Sequence, residues 1–316
     1  MKRFSFFLVL IFLVLSSGIV LAETPSGWQK YSGNPVLGGD LGVCFDLTML
    51  EQEGTFRMWF SWRPKKAIGY SESKDGIHWS DPVVVLAPAG GWEMNLNRPS
   101  VIFRNQKYHM WFTGQADGHS RIGYATSEDG IHWERVQVDP VLIPEADWEK
   151  VAVMCPHVLW DEEAQNFRMY FSAGEQYEPN AIGCAMSSDG IHWKKLPQNP
   201  IFRPDPSKSW ESHKVTAAQV LKHRDGYLMF FIGFENENLA RIGIARSRDG
   251  LSNWERLPSN PIIGPDAGAW DGEACYKPYA IFDSKAGKWR LWFNGRAGHV
   301  EQIGLAIHEG EELFPE

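Results

Sequence analysis

The dipeptide Ile-Gly recurs at a nearly regular spacing along the chain, at Ile68, Ile122, Ile182, Ile242 and Ile303. Each occurrence follows an aromatic run: Phe56 to Phe60, Tyr108 to Phe112, Phe167 to Phe171, Tyr227 to Phe231 and Trp289 to Phe293. The first four are followed by a turn and a tryptophan: Asp75-Gly76-Ile77-His78-Trp79, Asp129 to Trp133, Asp189 to Trp193 and, in variant form, Asp249 to Trp254. Before the aromatic run comes another apolar stretch, as in Pro99 to Phe103 and Pro156 to Trp160. Each copy thus predicts four short strands separated by Gly, Asp, Asn and Pro turns, and no segment carries a sustained helical period. Four strands per copy at this spacing predict radial repetition: an all-β, five-bladed β-propeller of four-stranded antiparallel blades. A sandwich or barrel has no need of the same turn in every copy.

The two ends complement each other. The fifth copy stops after Ile303 to Ile307 and lacks the final tryptophan strand, whereas Trp28 to Leu37 parallels Trp193 to Phe202 and Trp254 to Ile263. The N-terminal strand is therefore expected to complete the last blade and remove an open sheet edge. This accounts for residues 23–316 as a single domain. Residues 1–22 read as a signal peptide: Lys2 and Arg3, the apolar run Phe6 to Leu15, then Val20-Leu21-Ala22 before Glu23. That run is shorter than the ~20 residues a membrane span requires. The expectation is a secreted or periplasmic protein, with no membrane attachment after cleavage.

A formal charge of -8 without any Lys/Arg run argues against nucleic acid as a partner, because phosphate binding needs a basic face. The four cysteines match no metal spacing, and no cofactor motif occurs, so neither metal nor cofactor is expected. Cys44 and Cys275 stand at equivalent positions in copies that become neighbours on ring closure, which makes them a candidate disulfide.

Repetition separates scaffold from chemistry. His78, His132 and His192 recur in the turns, and so do the pairs Trp92-Glu93, Trp148-Glu149, Trp210-Glu211 and Trp270-Asp271; both sets read as scaffold. Side chains that differ at equivalent mouth positions are the candidates. Aligned on their apolar residues, the innermost strands place Asp46, Arg98, Cys155, Ala217 and Lys277 at one position, with His213, Lys214 and Glu273 just before it. The facing loops add Arg63, Asp117, His119, Glu175, Glu178, Glu235, Arg296 and His299. Ionised groups aimed into a narrow channel need a partner or a ligand. The set Arg63, Arg98, Lys214, Lys277 and Arg296 points to an anionic one.

The Ile-Gly-Tyr-x-x-Ser, Ser-x-Asp-Gly-Ile-His-Trp and Asn-Pro-Val/Ile motifs, spread over residues 28 to 307, resemble the five-bladed glycoside hydrolase superfamily. That group includes the arabinanase and xylosidase family 43, the invertase and levanase family 32 and the mannoside phosphorylase family 130. The resemblance implies a glycosidase acting on an oligo- or polysaccharide by carboxylate acid/base catalysis in the central funnel. Asp46 matches the family's base. The second family carboxylate is replaced at Cys155-Pro156. The acid falls near Glu211, with Glu273, Glu235 and His213 as alternatives. Arg63, Arg98, His213, Lys214, Glu235, Lys277 and Arg296 are expected to hold substrate. The alternatives are a non-catalytic carbohydrate-binding propeller and a phosphate-dependent phosphorylase.

Overall fold

The computed structural model describes residues 26–176 and 179–314; the signal segment 1–22 and Glu178 lie outside the described residues. Among the described residues the fold is all-β, with only short 3-10 turns besides strands. Cys44–Gln52, Thr55–Trp62, Ala67–Ser73 and Val83–Leu86 pair antiparallel in chain order. The second and third copies share one eight-stranded sheet, joined only where Ala152 pairs parallel with Ser120. The fourth copy again forms a four-stranded sheet, from Lys214–His223 to Glu255–Arg256. In the last sheet, Ala274–Asp283, Lys288–Ala297 and Val300–Glu309 take their fourth strand from Trp28–Lys30, with Trp28 opposite His308. Among the described residues no sheet closes on itself.

The N-terminal segment occupies this place because it carries the same side-chain chemistry as its parallels. Asn34 holds the backbone of Leu305 through its amide, donating at 2.9 Å and accepting at 2.8 Å. Asn199 grips Cys184, and Asn260 grips Ile244, in the same two-bond manner.

The recurring dipeptide has a packing cause. The Trp210 indole packs against Gly233 and Gly243, and a Cβ at either glycine would come within 2.4 Å of it. Neither glycine has a positive φ, so the indole, not the backbone, excludes a side chain here. Neighbouring copies are then latched through the repeated turns. Trp59 Nε1–H donates to the Gly130 carbonyl, Trp111 to Gly190, and the Tyr170 hydroxyl to Gly250. Trp292, in the last copy, donates to Gly76 in the first at 2.8 Å. One apolar cluster accordingly unites Cys44, Phe56 and Phe60 with Trp292, Ile303 and Leu305. Trp28, Trp59, Trp111, Trp289 and Trp292 are all fully buried, and each contributes roughly 2–3 kcal/mol of apolar burial.

The turn histidines are held locally: Asp75, Asp129 and Asp189 each accept from two backbone N–H groups and from the imidazole of His78, His132 or His192. The expected Cys44–Cys275 bond does not form; all four cysteines are free and buried. Cys44 and Cys275 pack in different apolar clusters, and the Cys275 thiol donates to Asp271 Oδ2 at 3.4 Å.

Candidate active site

The five residues aligned by sequence share one backbone device. Asp46, Arg98, Cys155, Ala217 and Lys277 all have φ between 48° and 54°, the left-handed region that non-glycine residues avoid. Each falls where the pairing of its innermost strand with the next slips register, that is, at a β-bulge. A bulge re-aims a side chain away from the sheet face it would otherwise occupy. In three copies a hydroxyl of the preceding copy secures the bulge: Ser61 accepts from Arg98 N–H (2.8 Å), Thr113 from Cys155 (3.1 Å) and Ser172 from Ala217 (2.7 Å).

These side chains meet. A cavity of about 120 Å³ is lined by Asp46, Arg98, Cys155 and Ala217 from four copies, together with Arg63, Tyr276, Arg296 and Glu301. Arg98 Nε lies 3.3 Å from Asp46 Oδ2, an ion pair without an aligned hydrogen bond, so that this buried oxygen has no hydrogen-bond partner. Burial pushes the Cys155 thiol pKa up, with Arg98 and Lys277 pulling it down and Asp46 adding to the rise. Lys277 is buried, does not line the cavity and forms none of the ion pairs found among the described residues, although its charge acts on Cys155, which does line it.

Glu301 was not anticipated from the sequence. It stands at the start of Val300–Glu309, lines the cavity, and has Arg63 Nη2 at 3.6 Å. Burial raises its carboxyl above the usual carboxylate range; Arg63 and Tyr276 pull it down and Asp46 pushes it up. The cavity therefore holds two carboxylates, each beside a guanidinium, and burial raises the carboxyl of Glu301. The Arg63 guanidinium also stacks over Phe45, 4.4 Å from the ring centroid.

The other expected site residues are placed elsewhere. Glu211 is fully buried away from the cavity, and both its carboxylate oxygens accept from Arg256 Nε, at 2.7 and 2.9 Å. Its equivalents Glu93, Glu149 and Asp271 pair with Arg135, Lys195 and Lys30, in every case a cation from the outermost strand of the same sheet. In this chain the carboxylate at the family's acid position makes the same contact as its repeated equivalents and does not line the cavity. Glu273 is exposed and does not itself line the cavity, though its neighbours Ala274 and Arg296 do, the latter with Nε at 3.6 Å. Glu235 pairs with Arg241 (2.6 Å) and does not line the cavity. Lys214 is buried between Glu175 (3.2 Å) and Glu237 (2.9 Å), and His213 also reaches Glu237 (2.9 Å). Both therefore belong to an ion network beside the cavity. Among the described residues, no three His, Cys, Asp or Glu side chains gather as metal ligands.

This chain builds a cavity of carboxylates and guanidinia from bulges on a repeated antiparallel scaffold. Its fold is that of a solved glycoside hydrolase, with a TM-score of 0.73 at 18% identity over 88% of this chain and 92% of that one. The profile of Glycosyl hydrolases family 43 matches residues 32–302, and the chain belongs to that family. An uncharacterized protein of Mycobacterium tuberculosis (strain CDC 1551 / Oshkosh) is 28% identical over 183 residues, 54% of this chain and 60% of that protein. The chain thus covers less than two thirds of that relative's length. The 1,2-beta-oligomannan phosphorylase of Thermoanaerobacter sp. (strain X514) is 28% identical over 254 residues, covering 78% and 79%.

Proposed function

We propose that this chain is an exported glycosidase whose five four-stranded copies stand as the blades of a ring, with hydrolysis in the funnel at its axis. The single observation that carries the chemistry is the shared cavity of Asp46 and Glu301. Glycoside hydrolysis needs one carboxyl group protonated at the leaving oxygen and a second ionised one opposite. Glu301, held up by burial, serves as the acid and gives its proton to the glycosidic oxygen as the C–O bond breaks. Asp46, beside Arg98, serves as the base and takes a proton from the attacking water. Arg63, Arg98 and Arg296 supply donors for the hydroxyls or acidic group of the sugar in the cavity. Ring closure is supported by the Trp292–Gly76 latch, which repeats between the last and first copies the bond made at other junctions.

A phosphorylase is the second reading. Lys277, buried close enough to act on Cys155 and in no ion pair among the described residues, would suit inorganic phosphate as the attacking group, and one relative is named as a phosphorylase. One experiment separates the readings: purified protein is assayed against a panel of glycans and aryl glycosides, with and without phosphate. Turnover in phosphate-free buffer that is lost in Asp46→Asn is the expected result. Turnover only with phosphate selects the phosphorylase, and binding without turnover, undisturbed by Asp46→Asn, removes the hydrolase.

A further inference from the structure

Two positions beyond its bulge, each innermost strand carries a polar residue: Thr48, Ser100, His157, Gln219 and Tyr279. Every one of them bonds the backbone of the next copy, and the last bonds that of the first. Thr48 Oγ1 accepts from Val101 N–H at 3.4 Å, Ser100 Oγ accepts from Val158 N–H at 2.9 Å, and His157 Nε2 donates to the Val220 carbonyl at 2.7 Å. The Gln219 amide donates to the Ala280 carbonyl at 2.9 Å and accepts from Ala280 N–H at 2.6 Å. The Tyr279 hydroxyl donates to the Met49 carbonyl at 2.7 Å. None of the five lines the cavity of Asp46 and Glu301, whose walls come from the strand starts and the facing loops. Two residues along a strand span about 6–7 Å, so the five form a layer that much deeper. Their polar groups are taken up by backbone partners, and the layer is a floor to the cavity.

One side of the cavity is shut as well. The loop Glu235 to Leu239 joins Gly226–Phe234 to Ala240–Ser247, and its Asn238 lines the cavity. Arg296 Nη2, from the fifth copy, donates to the Asn238 carbonyl at 2.6 Å. Glu237 accepts from the fully buried Lys214 and from His213, both at 2.9 Å. Lys214 is itself held by Glu175 of the third copy, at 3.2 Å. Within the loop, Asn236 Oδ1 accepts from the N–H groups of Asn238 and Leu239 at 2.9 and 3.0 Å. A glycan lying across the mouth would have to displace this tied loop.

The cavity's volume, about 120 Å³, is room for roughly ten water-sized atoms, which is the heavy-atom complement of a single pentose or hexose unit. Internal cleavage needs sugar units on both sides of the broken bond to run out beyond the site. A pocket with a floor, one shut side and room for one unit does not allow that. The ring that develops charge as its C–O bond breaks has to lie among the carboxylates, so the unit in the pocket is the glycone and the rest of the chain leaves through the mouth. We infer that this protein is exo-acting: it takes the non-reducing end of a glycan and removes one unit at a time, with the loop Glu235 to Leu239 as the wall that excludes internal positions. This rests on the glycosidase reading of the same cavity and adds to it where along a glycan the cut falls.

Arabino-, xylo- and manno-hexaoses carrying a fluorophore at the reducing end are incubated with the full chain, beside aryl glycosides of single sugars, and the labelled products are resolved by length over time. At least one hexaose should shorten stepwise, each labelled product appearing after the one longer than it. Deletion of Asn236 to Asn238 leaves a two-residue loop between the paired Phe234 and Ala240, a length that hairpins favour. In that variant, internal products should rise about tenfold or more, equivalent to lowering the barrier to internal cleavage by about 1.4 kcal/mol. Glu237→Ala, at an exposed position, should raise them by a smaller factor and leave turnover of the aryl glycosides unchanged. Short labelled products present beside long ones from the first time point overturn the chain-end reading and leave the glycosidase standing. Aryl glycoside turnover with every hexaose intact does the same. A ladder that stays strictly stepwise in both folded variants overturns the loop as the wall, and no turnover of any substrate overturns the glycosidase and the chain-end reading together.

Discussion

Arg256 Nε is shared between the two carboxylate oxygens of Glu211, at 2.7 and 2.9 Å, and the same contact, a carboxylate against a cation of the outermost strand, recurs in three further copies. A group with this role holds the sheet's outer strand to its Trp-bearing loop. Glu211→Gln should therefore cost about 3 kcal/mol, the low end for a broken buried pair, since Arg256 keeps one side toward water. Chemical denaturation measures the loss. The turnover of the molecules that remain folded should be unchanged, and a mutant of full stability but no activity would return Glu211 to the catalytic role.

Asp46 makes the opposite prediction. Asp46→Asn should reduce kcat/KM by roughly 10²–10⁴-fold, the usual contribution of a positioned acid or base. The fold should survive, because Asn keeps the volume and the bulge backbone is set by the register slip, not by the carboxylate. Steady-state kinetics with a thermal melt on the same sample distinguishes the two effects. A catalytic loss that tracks the fraction unfolded would exclude Asp46 from the chemistry.

The Trp292–Gly76 contact predicts a purely mechanical effect. Trp292→Phe retains most of the apolar burial and removes one buried hydrogen bond, a loss of about 1 kcal/mol that Trp59→Phe should match at its own junction. If the last and first copies abut as the others do, the two variants will lower Tm alike. A silent Trp292→Phe beside a destabilised Trp59→Phe would mean that this junction carries no load.

The placement of Asp46, Arg98, Cys155, Ala217 and Lys277 at one level was legible because apolar residues flank all five in the same register. The left-handed backbone that brings them together was not, since none is glycine and nothing in their side chains announces a positive φ. Glu211 drew attention through a family position, although its repetition already marked it as scaffold. Glu301 escaped for a different reason. Unlike residues at equivalent levels stand out on the innermost strands and the facing loops, whereas Glu301 lies on a third strand, two residues before Ile303. At that level the other copies carry Lys66, Ser120, Asn180 and Ala240, so the same criterion, moved by one strand, identifies it. The disulfide failed because equivalent positions in neighbouring copies fix a level, not a side-chain direction.

Glu301 also sets a pH dependence. Its folded pKa is raised by burial above the ordinary glutamate value, so the folded chain holds this proton more tightly than the unfolded one. Stability should then fall as pH rises from the unfolded value through the raised one, and Glu301→Gln should flatten that slope. Activity runs in the same direction, since only the protonated carboxyl can serve the leaving oxygen. With a substrate whose leaving group needs a proton, kcat/KM should fall about tenfold per pH unit above the raised pKa. With a dinitrophenyl glycoside, whose leaving group departs without one, the alkaline limb should weaken and Glu301→Gln should keep most of its rate. Profiles measured for both substrates on wild type and variant check this, and an alkaline limb left in place by Glu301→Gln would assign the proton to another group.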